Sequence, residues 1–337
     1  MEMSAEENAL SAAQNGDAEA FQRLIAPYLR ELRTYCYQMA GSIHDADDLM
    51  QETLLRVWKG LPGFEQRSNI RTWLYKVTSN VCFDSLAKQD RRILPMDLGA
   101  AAGQDDPIGP PRFDANWLEP CPAEFYSSAE RSPGALYERR QSVALAFLLA
   151  IQLLPPKQRA VLLLHDVLGF QGAECGALLE LSTAAVNSAL QRARATLSAR
   201  QAEPQALPPT GDQSALLKRY VHAWETADVD ALVALLLNDA TLEMPPLPQW
   251  LRGADAIGSA IEQMLFATAG SGAFRLLQTE ANGQPAFGAY QLDRDSGEMR
   301  AMALHVLKLS DERLASITAF LNPALLPLFG LPELIPT

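Results

Sequence analysis

The chain contains 337 residues, of which 48% are hydrophobic and 20% are charged, and its formal net charge is −12. This length predicts two or three domains, and the composition excludes a chain that is disordered throughout. No apolar run approaches the roughly 18 residues that span a bilayer, and the acidic N-terminus is unlike a signal peptide. We therefore expect a cytoplasmic protein that does not bind membranes. The cysteines are widely spaced, which predicts neither a disulfide framework nor a zinc site: Cys36, Cys82, Cys121 and Cys175.

The charge is unevenly distributed along the sequence. Residues 64–92 contain six basic and three acidic side chains, and residues 182–200 contain three basic side chains and no acidic one. Between them, residues 93–135 contain seven acidic and two basic side chains and many prolines. The net charge argues against a protein that coats nucleic acid by bulk attraction. The local pattern instead predicts two basic modules separated by an acidic, extended linker.

The first ninety residues predict three helices. Apolar residues at steps of three and four indicate one helix from Phe21 to Met39, which Gly41 ends. A second helix has aspartates in its first turn, where the helix dipole favours negative charge. Its apolar face carries Ala46, Leu49, Thr53, Val57 and Leu61. A third begins near Asn69 and runs to the Arg91-Arg92 pair.

The helical pattern returns at Leu136 and continues past Pro155-Pro156. It is followed by a short helix over residues 171–179 and a basic helix over residues 183–199, proportions typical of a helix-turn-helix.

A proline-rich joint at residues 204–209 precedes a different architecture. Helices are predicted over residues 214–226, 228–237 and 254–267, and a short strand over 240–243. Four strands separated by turn-forming residues then follow over 274–281, 287–292, 299–309 and 314–321. Helices followed by an antiparallel meander indicate an α+β cone.

Several blocks carry a family resemblance. The run from Asp45 to Trp58 resembles region 2 of bacterial extracytoplasmic-function (ECF) sigma factors, and Arg71 to Tyr75 with Asn80 is similar to its promoter-melting part. Residues 154–161 and 182–194 resemble region 4 of the same family. The C-terminal part resembles the SnoaL-like domain, a fold shared with ketosteroid isomerases. The resemblance implies two all-α sigma domains and a C-terminal α+β SnoaL-like domain, divided as 5–92, linker 93–135, 136–200, linker 201–213 and 214–330.

The resemblance also implies partners and contact residues. A sigma factor binds the clamp coiled coil and the flap of core RNA polymerase and directs it to promoter DNA. The residues expected to bind the polymerase are Asp48, Leu49, Gln51 and Glu52. Those expected at the −10 element are Arg67, Ser68, Asn69, Lys76 and Asn80, and those at the −35 element are Thr183, Asn187, Ser188, Gln191, Arg192 and Arg194. The alternative for each set is an ordinary solvated helix face or turn.

Three further features concern the linker and the helix-turn-helix. The segment Trp117-Leu118-Glu119-Pro120 in the linker resembles a motif of the sigma factors that carry the SnoaL-like extension. The acidic linker is expected to run through the basic channel of the polymerase and mimic nucleic acid. Glu180 stands in the helix-turn-helix turn where glycine is common, because glycine enters the left-handed region freely.

The SnoaL-like part resembles an isomerase that has lost its base. Tyr220 matches the tyrosine that donates to the oxyanion and His305 the second donor, but Met244 stands where the general-base aspartate belongs. The sequence therefore predicts no catalytic residue and no cofactor, and a domain that modulates the sigma domains by contact. Seven mostly aromatic residues fit either the lining of a cavity for a small apolar ligand or an ordinary hydrophobic core: Tyr220, Trp224, Met244, Trp250, Phe287, His305 and Phe320. A rival hypothesis is an isomerase or hydrolase fused to a DNA-binding module, and Met244 argues against it.

Overall fold

A computed structural model describes residues 5–66, 68–103, 106–126, 140–200, 213–310 and 312–337. The chain divides into two compact units. The first comprises Met1–Arg92 and Leu118–Ala202, and the second comprises Ile93–Trp117 and Glu203–Thr337. Within the described ranges, none of the helices combines the length and apolar character needed to cross a membrane.

The N-terminal part of the first unit is helical. Its helices are α1 (Ala5–Gln14), α2 (Ala18–Ile25), α3 (Leu29–Ala40), α4 (Ile43–Gly60) and α5 (Ile70–Leu86). Gly41 ends α3 in the left-handed conformation, as predicted. The single helix predicted from Phe21 to Met39 is wrong, because α2 ends before Pro27, whose ring cannot continue a helix.

The remaining helices of the first unit are α6 (Leu145–Gln152), α7 (Pro156–Leu162), α8 (Gly172–Leu179) and α9 (Thr183–Arg200). A wider helical turn, Leu163–Val167, extends α7. Glu180 follows α8 in the left-handed conformation with φ 57° and ψ 45°. The helix-turn-helix therefore forms with a residue that has a Cβ at this position, at a cost of about 1–2 kcal/mol relative to glycine.

The second unit combines helices and strands. Its helices are α10 (Ser214–Glu225), α11 (Val229–Val233), α12 (Ala254–Ile261) and α13 (Ala267–Ala269). Its strands are β1 (Leu236–Glu243), β2 (Trp250–Arg252), β3 (Phe274–Ala281), β4 (Gln284–Leu292), β5 (Met299–Ser310), β6 (Arg313–Phe320) and β7 (Leu334–Ile335). Leu236 and Leu237 were expected to end a helix but begin β1, where Leu236 is buried and pairs with Leu314.

The strands form one sheet in the order β2-β1-β6-β5-β4-β3, and β7 pairs with β5. Strands β3 to β6 form an antiparallel meander, whereas β1 pairs with β6 in parallel. Asn282 and Gly283 both have positive φ in the β3–β4 turn, as the predicted hairpin requires. The helices cover one face, and on the other face Leu326 and Leu331 of the C-terminal segment approach Gly288.

Residues 93–117 pack within the second unit and form a closed loop. Ile93 N donates to Asn116 O at 2.9 Å, which brings the two ends of the loop together. Ala102 N donates to Trp250 O at 2.8 Å, which satisfies an acceptor on the edge strand β2. The expectation of one extended linker over residues 93–135 is therefore wrong for this part. Residues 127–135 lie outside the described residues, as do 136–139 and 201–212.

Candidate functional surfaces

The outer side of α4 exposes the acidic residues predicted to bind the polymerase. Ser42 caps this helix by accepting a hydrogen bond from Asp45 N at 3.1 Å, and Asp48, Gln51 and Glu52 are exposed. Leu49 is only 5% exposed, so its prediction as a contact residue is wrong, because it lies on the inner side of the helix. Sequence reasoning missed Leu55, which is 53% exposed and lies one turn from Gln51 and Glu52.

Arg56 holds the acidic face of α4 in place. Its Nε donates to Glu52 Oε1 at 2.7 Å, and its Nη1 donates to Asp84 Oδ2 on α5 at 2.7 Å. The hydrogen bonds to Asp84 and Glu52 raise the pKa of Arg56. The spacing of four residues between Glu52 and Arg56 indicates such a pair from sequence.

The residues predicted for the −10 element lie at the start and along one side of α5. Asn69 is the N-cap, and its side chain accepts from Thr72 N at 2.7 Å, so it has a structural role in this state. Ser68 and Asn80 are exposed, Lys76 is half-buried, and Arg67 lies outside the described residues.

The turn of the helix-turn-helix lies against this side of α5. Lys76 Nζ is 2.9 Å from Glu180 Oε1, and this ion pair lowers the pKa of Glu180. The guanidinium of Arg71 stacks on Phe170 at 4.5 Å, and Tyr75 contacts the same ring edge-on at 5.2 Å. Region 4 therefore covers part of the surface predicted to read the −10 element.

Helix α9 exposes every residue predicted for the −35 element: Thr183, Asn187, Ser188, Gln191, Arg192 and Arg194. Its opposite side is buried through Val186, Ala193 and Leu197. Arg194 is fixed by two hydrogen bonds to Asp166, with Nε to Oδ2 at 3.0 Å and Nη2 to Oδ1 at 2.6 Å. The outer side of α9 therefore presents a row of exposed polar side chains.

The seven residues predicted to line a ligand cavity are all buried in the second unit. Tyr220 and Phe287 pack together at 5.6 Å, and the Tyr220 hydroxyl lies 2.9 Å from His305 Nδ1. Burial raises the pKa of Tyr220 and lowers the pKa of His305 to about 4. The side chains therefore form a neutral aromatic cluster in which the Tyr220 hydroxyl and the His305 imidazole are hydrogen-bonded to each other.

Strand alternation separates two of those seven residues from the cluster. Phe320 pairs with Leu304 rather than His305, and Trp250 pairs with Glu243 rather than Leu242, so both lie on the other face of the sheet. Their prediction as lining one shared cavity is wrong. A groove of about 410 Å³ lies instead between α10 and the sheet, lined by Ser214, Leu217, Lys218, Val221, Gln278 and Phe287.

Family models match the chain in three places. Residues 24–92 match Sigma-70 region 2, residues 144–197 match Sigma-70 region 4, and residues 217–317 match the SnoaL-like domain. The helix bearing Asp48 falls within the first match, and the second and third matches cover most of the helix-turn-helix and most of the sheet.

Comparison with known proteins agrees with that order of domains. The ECF RNA polymerase sigma factor SigG of Mycobacterium tuberculosis is 43% identical over 312 residues, which cover 91% of this chain and 82% of SigG. SigE of Mycolicibacterium smegmatis is 26% identical over 53% of this chain and 60% of its own length. The crystal structure of Mycobacterium tuberculosis sigma factor SigJ has the same fold, with a TM-score of 0.60 and 22% identity over 92% of this chain and 99% of SigJ. Because the similarity to SigG extends through both sigma regions and the sheet unit, the chain belongs to the ECF RNA polymerase sigma factors.

Proposed function

We propose that this sigma factor binds core RNA polymerase through the exposed side of α4. Three observations support the assignment: Asp48, Gln51 and Glu52 are exposed together, Leu55 adds an apolar contact beside them, and Arg56 fixes Glu52. An acidic face with one apolar anchor fits a basic partner surface, such as the clamp coiled coil. The flap contact is proposed for region 4 by family resemblance alone.

Reversing the charge of the α4 face tests this proposal. We expect Asp48→Lys with Glu52→Lys to weaken binding to core polymerase at least tenfold and to reduce transcription in proportion, because both carboxylates would repel rather than attract the clamp. The fold should persist, since both side chains are exposed and Arg56 keeps Asp84 as a partner.

The matched control places the same charge change elsewhere. Asp239→Lys with Glu312→Lys alters two exposed acids of the second unit and should bind polymerase like the wild type. Equal binding by both double variants in an equilibrium titration with core polymerase would contradict the assignment of α4.

We propose that α9 reads the −35 element. Arg192→Ala should lower affinity for many promoters and reduce the slope of log affinity against log salt by about 0.9, as expected for one lost phosphate contact. Asn187→Ala should instead change preference at one or two base positions, at about 1–3 kcal/mol per lost base contact. Binding to a set of −35 duplexes at several salt concentrations separates the two effects. Arg23→Ala, on α2, is the control, and wild-type behaviour of both α9 variants would show that the helix is misassigned.

We propose that reading of the −10 element requires region 4 to leave α5. Lys76 is ion-paired with Glu180, and Arg71 is stacked on Phe170, so promoter DNA cannot use either side chain in the same way at the same time. The pair is exposed to solvent, where water and salt screen the attraction between the two charges, so its contribution is small. Such a contact can be displaced by a stronger partner.

We propose that the SnoaL-like unit regulates rather than catalyses. Met244 occupies the position of the base, and Tyr220 and His305 are hydrogen-bonded to each other rather than directed at a substrate. Without a proton acceptor, the isomerase reaction has no first step. The alternative function, an isomerase or hydrolase fused to a DNA-binding module, is not supported by any proton acceptor at the position of Met244. A small apolar ligand in the groove beside α10 is compatible with regulation.

A further inference from the structure

The linker residue Glu119 is attached to the start of α4 at several points. Its Oε2 accepts hydrogen bonds from Ser42 Oγ and from Ile43 N, both at 2.9 Å, and lies 3.1 Å from His44 Nδ1. Its backbone is held too, because Glu119 N donates to Gly41 O at 3.0 Å and Tyr37 Oη donates to Glu119 O at 2.7 Å. Both partners of these bonds belong to the first unit.

The carboxylate of Glu119 completes the cap of the helix. The first N–H groups of a helix have no partner within it, and Ser42 satisfies only Asp45 N through its side chain. Glu119 satisfies Ile43 N from 76 residues further along the chain and places a negative charge at the positive end of the helix dipole. Glu119 therefore stabilises the first turn of α4.

The same helix carries the proposed polymerase surface. Asp48 lies in the second turn after Ile43, and Gln51 and Glu52 lie one turn beyond it. A shift of the first turn of the helix would therefore also displace these side chains. Resting on the function proposed above, we propose that Glu119 is a positioning residue that caps α4 from the linker and so fixes the orientation of the polymerase-binding face.

The loop 93–117 is held within the second unit by hydrogen bonds. Met96 N donates to Glu243 Oε2 at 3.1 Å, Arg112 N donates to Pro246 O at 2.8 Å, and Trp250 Nε1 donates to Gly99 O at 2.9 Å.

At the end of the loop, the Trp117 indole donates to Arg112 O at 2.7 Å. The chain then passes from the second unit to the first between Trp117 and Leu118. The motif Trp117-Leu118-Glu119-Pro120 therefore contains the residue that caps α4.

The test compares two substitutions at Glu119 in the full chain. Glu119→Ala should speed amide hydrogen exchange at residues 43–46 about tenfold and weaken core polymerase binding about tenfold, while exchange in α5 stays unchanged. Glu119→Gln keeps an acceptor oxygen but loses the charge, so both effects should be intermediate. Glu124→Ala removes a neighbouring linker carboxylate, which is bound to Arg33 instead, and should match the wild type in both measurements.

Three outcomes would overturn the proposal. Unchanged exchange at residues 43–46 in Glu119→Ala would mean that the carboxylate does not cap α4. Faster exchange with wild-type polymerase affinity would mean that the cap does not position the binding face. Faster exchange throughout α5 would mean a general loss of structure instead of positioning. If Asp48→Lys with Glu52→Lys binds polymerase normally while Glu119→Ala still weakens binding, the function proposed for the α4 face fails, not the cap.

Discussion

Replacing Arg159 with alanine should destabilise the helical unit by about 3 kcal/mol or more, because several buried carbonyl groups would lose their donor. Arg159 is 4% exposed. Its guanidinium donates to Ile151 O at 3.0 Å, to Gln152 O and Leu154 O at 3.1 Å each, and to Met39 O. One side chain thus satisfies carbonyl groups at the C-terminal ends of α3 and α6 and joins region 2 to region 4.

Denaturant unfolding of the full chain provides the measurement. Burial lowers the pKa of Arg159 to about 10, so the guanidinium remains charged at pH 7. Arg159→Lys keeps the charge but lacks the fork of donors, and we expect it to recover only part of the stability. Arg23→Ala, at an exposed pair with Glu19, should lie within about 0.5 kcal/mol of the wild type. A similarly small change in Arg159→Ala would show that water replaces the guanidinium without cost.

Acid should destabilise the SnoaL-like unit well before its carboxylates titrate. Burial lowers the pKa of His305 to about 4, below its ordinary value of 6.5. The unfolded chain therefore binds more protons than the folded chain between these two values. The contribution of neutral His305 to the free energy of unfolding is fully present above pH 6.5 and decreases as the pH falls toward 4. The free energy of unfolding is lower by about 3 kcal/mol once His305 is protonated in both the folded and the unfolded state.

His305→Gln isolates this effect. Glutamine can accept the hydrogen bond from Tyr220 but does not titrate, so we expect a flatter dependence of the free energy of unfolding on pH from 6.5 to 4. The Tyr220 hydroxyl stays neutral in this range, because burial raises its pKa. Arg300 keeps the pKa of Asp293 at about 2, so that ion pair persists in the same range. Parallel pH profiles for the wild type and His305→Gln, from urea unfolding followed by tryptophan fluorescence, would refute the assignment.

The helices and the meander could be predicted from sequence where one local pattern decides the structure. Helix α9 was predicted over residues 183–199 and spans Thr183–Arg200. The third helix was predicted to begin near Asn69, which is the N-cap of α5. Strand β3 follows its predicted limits, because Asn282-Gly283 strongly favours a tight hairpin. In each case hydrophobic periodicity and the end signal agree.

Features set by distant contacts could not be predicted. The proline-rich, acidic composition of residues 93–117 gives no sign that Trp250 and Glu243 bind this loop. Phe320 and His305 lie on opposite faces of the sheet because of the register of β6 against β5. This register could not be predicted from the sequence. At the sites, exposure of Asp48 and Gln51 could be predicted from helical period, but the pairing of Lys76 with Glu180 depends on how region 4 packs.

The pairing of Glu180 with Lys76 makes region 4 a tethered ligand of the surface that it covers. A group held on the same chain acts at an effective concentration on the order of millimolar, so even a weak contact competes with a dilute external ligand. If α5 reads the −10 element as proposed above, a free promoter fragment at micromolar concentration meets a surface already occupied by a carboxylate in place of phosphate. The competition would change once polymerase holds the promoter beside the sigma factor, because both ligands would then be local. Under that proposal, selection against stray DNA is a property of concentration as well as of contact.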